Sequence, residues 1–190
     1  MGRRSWGPCV KREALGALAL FVVYQAVWFG AVASAARGWI WIGPALVALF
    51  VLGFALRLER GLRGRWLLAV ALLGLAGTVA DSTLAACGFV RFNAELLPGV
   101  ASPWITSLWC LMAVALPGLG LLLARRPWLA ALLGAVGGPA AYAAGVRMGA
   151  ATFPEPAWPS LLAIGVEWGI AFPLMLRVPA LVRPDAGGAR

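Results

Sequence analysis

Residues 66–90 read WLLAVALLGLAGTVADSTLAACGFV, an apolar run carrying a single charge, Asp81, near its middle. A helix needs ~20 apolar residues to cross a bilayer, and this run is long enough. Residues 157–176, AWPSLLAIGVEWGIAFPLML, repeat the arrangement around Glu167. A carboxylate at mid-membrane costs at least ~2.5–3.5 kcal/mol on insertion scales, so such residues turn toward the bundle interior and often mark function. The two runs read together as membrane helices that point an acid inward.

Four more runs flank them: Ala14–Ala36, Gly38–Leu56, Trp104–Ala124 and Trp128 to about Gly149. The expected fold is therefore all-α, a polytopic membrane bundle of six transmembrane helices. Composition agrees. The 190 residues are 62% hydrophobic and 12% charged, about half the charge that a soluble surface requires, and mean hydropathy is +0.88. The expected organisation is a basic cytoplasmic arm over 1–13, one bundle over 14–176 and an unstructured cytoplasmic tail over 177–190.

The basic residues orient the bundle. Arg3, Arg4, Lys11 and Arg12 precede the first run; Arg57, Arg60, Arg63 and Arg65 separate the second and third; Arg125 and Arg126 separate the fourth and fifth; Arg177, Arg183 and Arg190 follow the sixth. Only Arg37, Arg91 and Arg147 fall on the other side. Cytoplasmic loops carry the excess of Lys and Arg, so both termini are expected in the cytoplasm, in a multi-pass protein of a bacterial inner membrane. The net charge of +9 punctuates apolar runs instead of forming a face, which argues against a nucleic-acid partner.

Site chemistry narrows quickly. The chain has no histidine and three cysteines, Cys9, Cys87 and Cys110, without CxxC spacing, so no metal or cofactor is expected. A Cys87–Cys110 disulfide is conceivable, since both cysteines fall in the outward halves of their runs. There is no phosphate loop, Ser/His pair or paired-aspartate motif, and nothing supports catalysis directly.

The candidate polar site is Gln25, Asp81, Ser82 and Glu167. Gln25, Asp81 and Glu167 lie within ~3 Å of one another in depth at helical rise, with Thr78 and Ser82 beside Asp81. The bland reading is that the acids are protonated and bond across helices, for instance to Gln25. Gly74, Gly77, Asp81, Ala85 and Gly88 form a small-residue stripe on the third run. On the fifth, Gly137, Ala141, Gly145 and Gly149 repeat every four residues, with Gly134 and Gly138 beside them and Pro139 among them; such stripes let helices approach closely. This marks the fifth helix as the expected central one. Pro117 and Pro139 free backbone carbonyls inside helices. Arg147, with Tyr142, is a candidate contact for a lipid headgroup or acyl carboxylate, against the plainer role of a snorkelling anchor.

Four motifs in order carry a resemblance: Tyr24–Phe29 (YQAVWF), Ala80–Gly88 (ADSTLAACG), Pro103–Trp109 (PWITSLW) and Gly134–Ala150 (GAVGGPAAYAAGVRMGA). Together they are similar to domain-of-unknown-function family 2878, small bacterial inner-membrane proteins, over roughly Ala17 to Leu176. The resemblance places Asp81, Ser82, Trp109, Gly137, Gly138, Pro139, Tyr142 and Arg147 on the family pattern. It implies a setting beside cyclopropane-synthase-like methyltransferases and flavin amine-oxidase-like proteins, and hence a part in lipid modification. The chain departs from the pattern at Pro117, Gly118 and Leu119, where relatives carry Asn-His-Ser. The expected function is an accessory or lipid-interacting component of membrane lipid or fatty-acid modification, with membrane lipids and a homo-oligomer or membrane enzyme as partners. The alternatives are a small proton- or ion-coupled transporter and a structural membrane protein.

Overall fold

The run around Asp81 forms α3 (Arg60–Ala86), a helix with two unlike faces. Leu73, Gly74, Gly77, Asp81 and Leu84 are buried, while Leu68, Leu72, Leu75 and Val79 are each more than half exposed. An apolar stripe left this open along a whole helix is stable only against lipid. The computed structural model describes residues 8–123 and 125–182. The first seven residues of the expected basic arm, and the expected tail from Arg183 onward with Arg183 and Arg190, lie outside the described residues.

The remaining elements are α1 (Pro8–Ala36), α2 (Ile42–Arg57), β1 (Arg91–Phe92), α4 (Pro103–Leu123), α5 (Pro127–Arg147), β2 (Ala151–Thr152), α6 (Trp158–Met175) and α7 (Val178–Val182). Among the described residues five helices are long and apolar enough to cross a membrane, and α2 is a shorter apolar helix. The chain is a multi-pass helical membrane protein. Two expected boundaries move. The α1 helix begins at Pro8, inside the segment expected as an arm, and α7 stands where an unstructured tail was expected, packed on α3 and α4.

Helix α3 stops short of Val90 because Gly88 takes a left-handed backbone, φ +76. Gly88 N then donates to Ala85 O and Phe89 N to Leu84 O, the pairing that closes a helix at glycine. Gly88 is thus a terminator and does not extend the packing stripe.

Released from the helix, the chain forms β1, which pairs antiparallel with β2, Arg91 opposite Thr152 and Phe92 opposite Ala151. Asn93 secures this ribbon. Its N–H donates to Ala150 O at 2.8 Å, its side-chain amide donates to Gly149 O, and its carbonyl accepts Trp104 Nε1 at 2.9 Å. Val90, Phe92, Ala101, Ser102, Ala150 and Ala151 are buried there. The segment between α3 and α4 is thus a folded cap over one end of the bundle.

The central helix is α4, which contacts α1, α2, α3, α5 and α7, whereas α5 packs mainly on α6. This corrects the expectation for α5. A run of small residues lets one neighbour come very close; it does not multiply neighbours.

Candidate functional site

Four helices deliver one polar cluster. Asp81 on α3 is fully buried. Its Oδ2 accepts Trp109 Nε1 of α4 at 2.8 Å, and its Oδ1 accepts the Tyr142 hydroxyl of α5. The Trp109 ring stacks on Trp168 of α6, with centroids 4.7 Å apart and planes at 25°. Glu167, next in the chain, lies within electrostatic reach of Asp81 and Tyr142. Both Glu167 oxygens are buried without a hydrogen-bond partner. Trp168 Nε1 lies beside the Tyr142 hydroxyl but outside hydrogen-bond geometry.

Glycines make these contacts possible. A Cβ at Gly77 would fall on the Trp109 ring, and one at Gly74 would come within 2.6 Å of Cys110 Sγ. Gly77 therefore lets the indole lie across α3 with its N–H toward Asp81. On α5 a Cβ at Gly134 would meet the Trp168 carbonyl oxygen, and one at Gly138 the Trp168 ring. The close seam with α6 thus uses Gly134 and Gly138. Gly137 is exposed, and a Cβ there or at Gly145 would find open space. Gly149 caps the helix end at φ +86. The four-residue repeat through Gly137, Ala141, Gly145 and Gly149 is not the tight contact. The register that faces α6 is the one in which Trp168 finds room on the α5 backbone. Pro139 lies inside α5, near Gly165 of α6.

The other candidate residues separate. Gln25 is half-buried on α1, which packs on α2 and α4. Among the described residues no hydrogen bond joins it to either acid, because matched depth says nothing about azimuth around the bundle. Ser82 turns outward and its Oγ accepts Ala101 N at 2.9 Å, tying α3 to the cap. Thr78 bonds Gly74 O and Thr106 Oγ1, each at 2.8 Å. Arg147 is exposed at the end of α5 while Tyr142 is buried against Asp81, so these two do not share a contact. Cys87 is exposed, and Cys110 Sγ faces Val70 O at 3.7 Å; both thiols are free. Among the described residues no three His, Cys, Asp or Glu side chains gather as a metal set.

Trp168 is the member that sequence reading passed over. Its position beside Glu167 and the Gly134–Gly138 pair opposite were the available signals, but an indole in a membrane helix ordinarily reads as an interface anchor. Chemically the cluster presents two donors to one carboxyl group and leaves a second carboxyl free, an arrangement able to hold or pass a proton.

No curated protein and no solved structure matches the chain. The family model described as "Protein of unknown function (DUF2878)" matches residues 17–174, nearly the whole bundle. The chain belongs to that family.

Proposed function

We propose that this protein is a six-span component of a bacterial inner membrane, with both termini in the cytoplasm, that engages lipid as an accessory to membrane lipid or fatty-acid modification. The supporting observation is an apolar groove along the outer seam of α5 and α6. Ala131, Ala135, Gly165 and Gly169 form its floor and Leu162 and Val166 stand on its walls. Small residues leave a furrow between the helices, and the exposed flanks, Leu162 at 61% and Val166 at 56%, turn it toward the hydrocarbon. The acid cluster lies across α6 from this furrow. A partner enzyme of the membrane would act on the lipid that the groove presents.

Lipidomics of a deletion strain tests the reading. Loss of the protein is expected to change the content of one modified acyl class. A strain carrying Asp81→Asn at normal protein level should reproduce that change. An unaltered lipid profile in the deletion would sink the proposal. Topology has its own test: reporter fusions after Arg65 and Arg183 should read cytoplasmic and one after Glu95 periplasmic. A periplasmic signal at Arg183 would refute the six-span arrangement.

A second reading, a small proton- or ion-coupled transporter, is favoured by the unpaired carboxyl of Glu167 beside Asp81. A buried acid without a partner suits a group that exchanges its proton.

A further inference from the structure

The chain between β1 and α4 carries an apolar tip. Residues 94–102 read AELLPGVAS, and the only charge among them is Glu95, at the root of the loop. Leu96, Leu97, Pro98, Gly99 and Val100 are all exposed, Leu96 at 52% and Leu97 at 62%. Such a run of consecutive exposed apolar residues in a loop is unfavourable in water and demands a covering surface.

The root holds the tip in place. Ala94 takes a left-handed backbone, φ +57, and its carbonyl accepts the Ser102 hydroxyl, which closes the loop. Gly99, φ +72, turns the chain, and Val100 N donates to Leu97 O at 3.2 Å. Ala101 and Ser102 are buried. The tip therefore projects from a fixed base.

The base also sets where the tip lies. Ala101 N donates to Ser82 Oγ of α3 at 2.9 Å. Ser82 follows Leu75 by two helical turns and Val79 by one, so it lies on their stripe. Leu75 and Val79 are 63% and 60% exposed and face lipid. Exposure falls at Ser82, where Ala101 crosses, and returns at Ala86. Ser82 precedes the end of α3 by ~6 Å at helical rise. The loop thus folds back beside the lipid-facing side of α3, one turn inside the helix end. Exposed indoles stand at the same end of the bundle: Trp39 and Trp41 between α1 and α2, and Trp158 at the start of α6. Indole rings at span ends favour the headgroup layer.

We propose that the 96–100 tip is a membrane-inserted anchor, with Leu96, Leu97 and Val100 among the upper acyl chains of the leaflet at the ribbon-capped end. The occupant is phospholipid, because the tip continues a face of α3 that already meets lipid and carries no polar side chain for a protein partner to read. Insertion ties the ribbon to the leaflet, and Asn93 passes that tie to Trp104 of α4 and to the chain leaving α5. The inference needs only a membrane-spanning bundle and does not rest on the α5–α6 groove, so either can fail alone.

A nitroxide at Leu97→Cys tests it, in protein carrying Cys9→Ser, Cys87→Ser and Cys110→Ala and reconstituted in phosphatidylcholine vesicles. Collision with oxygen, which concentrates in hydrocarbon, is compared with collision with a water-soluble nickel chelate. Labels at Leu75→Cys and Glu155→Cys, both exposed positions, supply the lipid and water references. The oxygen-to-nickel ratio at Leu97 should exceed that at Glu155 by about tenfold or more, as expected of a side chain below the headgroups. A ratio equal to that at Glu155 would overturn the proposal and place the tip in water. Low collision with both reagents would overturn it as well, since a second copy of the chain would then cover the tip. The wild-type protein gives an independent check without substitution. Phosphatidylcholine bearing a photoreactive diazirine on the upper acyl chain should attach within residues 96–100 on irradiation. Adducts confined to the spanning helices would refute the insertion.

Discussion

Adding one methyl group at Gly134 is expected to abolish most of the folded protein. The new Cβ would fall on the Trp168 carbonyl oxygen and within 2.9 Å of Phe172 Cβ. The first of these is helix backbone, which cannot rotate away as a side chain can. Helix α6 must therefore shift off α5 along the most extensive helix pair in the bundle. Overpacking of a fitted core costs typically ~1–3 kcal/mol, and a rigid obstacle puts Gly134→Ala at the upper end or beyond. Gly138→Ala should act similarly by displacing Trp168 and with it the stack on Trp109. Gly137→Ala and Gly145→Ala meet open space and should retain wild-type yield. The measurement is the fraction eluting as a single species in mild detergent, with its thermal midpoint. Comparable yields for Gly134→Ala and Gly137→Ala would show that the seam does not have this register.

Asp81→Ala is expected to destabilise the bundle strongly while Asp81→Asn does so mildly. The alanine variant removes the acceptor of two buried donors, Trp109 Nε1 and the Tyr142 hydroxyl. Each orphaned donor costs about 1–3 kcal/mol, so a loss of roughly 2–6 kcal/mol is expected. Asparagine keeps one acceptor oxygen. Indole can only donate, so that oxygen must serve Trp109, while the Tyr142 hydroxyl turns to accept from the amide. The asparagine variant thus keeps the cluster and removes ionisation, which makes it the proper probe of chemistry in cells. A double-mutant cycle of Asp81→Ala with Trp109→Phe should be less than additive, because the second change removes a donor already orphaned. Strict additivity, from thermal unfolding in detergent, would mean that the two groups are not coupled.

The membrane class of this chain, and most of its helices, were legible in residue order. Burial from water is a property of long apolar runs, and such runs are local. The inward aim of Asp81 was legible as well, because Gly74 and Gly77 lie on its stripe and small residues mark a close neighbour. Its partners were not. Trp109 and Tyr142 sit 28 and 61 residues from Asp81 in the chain, and depth counting supplies only one of the three coordinates needed to bring them together. The same gap holds for Gln25: depth counting matched it to the acids, and among the described residues no hydrogen bond joins it to either one. It also paired Tyr142 with Arg147, although the two end on different faces of α5.

What residue order determined by itself is what each helix demands alone: apolar length, small-residue stripes, glycine at a left-handed stop such as Gly88, and a charge that must avoid lipid. What tertiary structure alone decided is which stripe meets which helix. Both Gly134–Gly138 and Gly137–Ala141–Gly145 are small enough for close approach, so their own composition cannot choose between them. The choice falls to the Trp168 side chain and the α6 backbone, which fill the space over one stripe and leave the other open. Packing of this kind is a relation between distant segments, and its energy exists only once they meet.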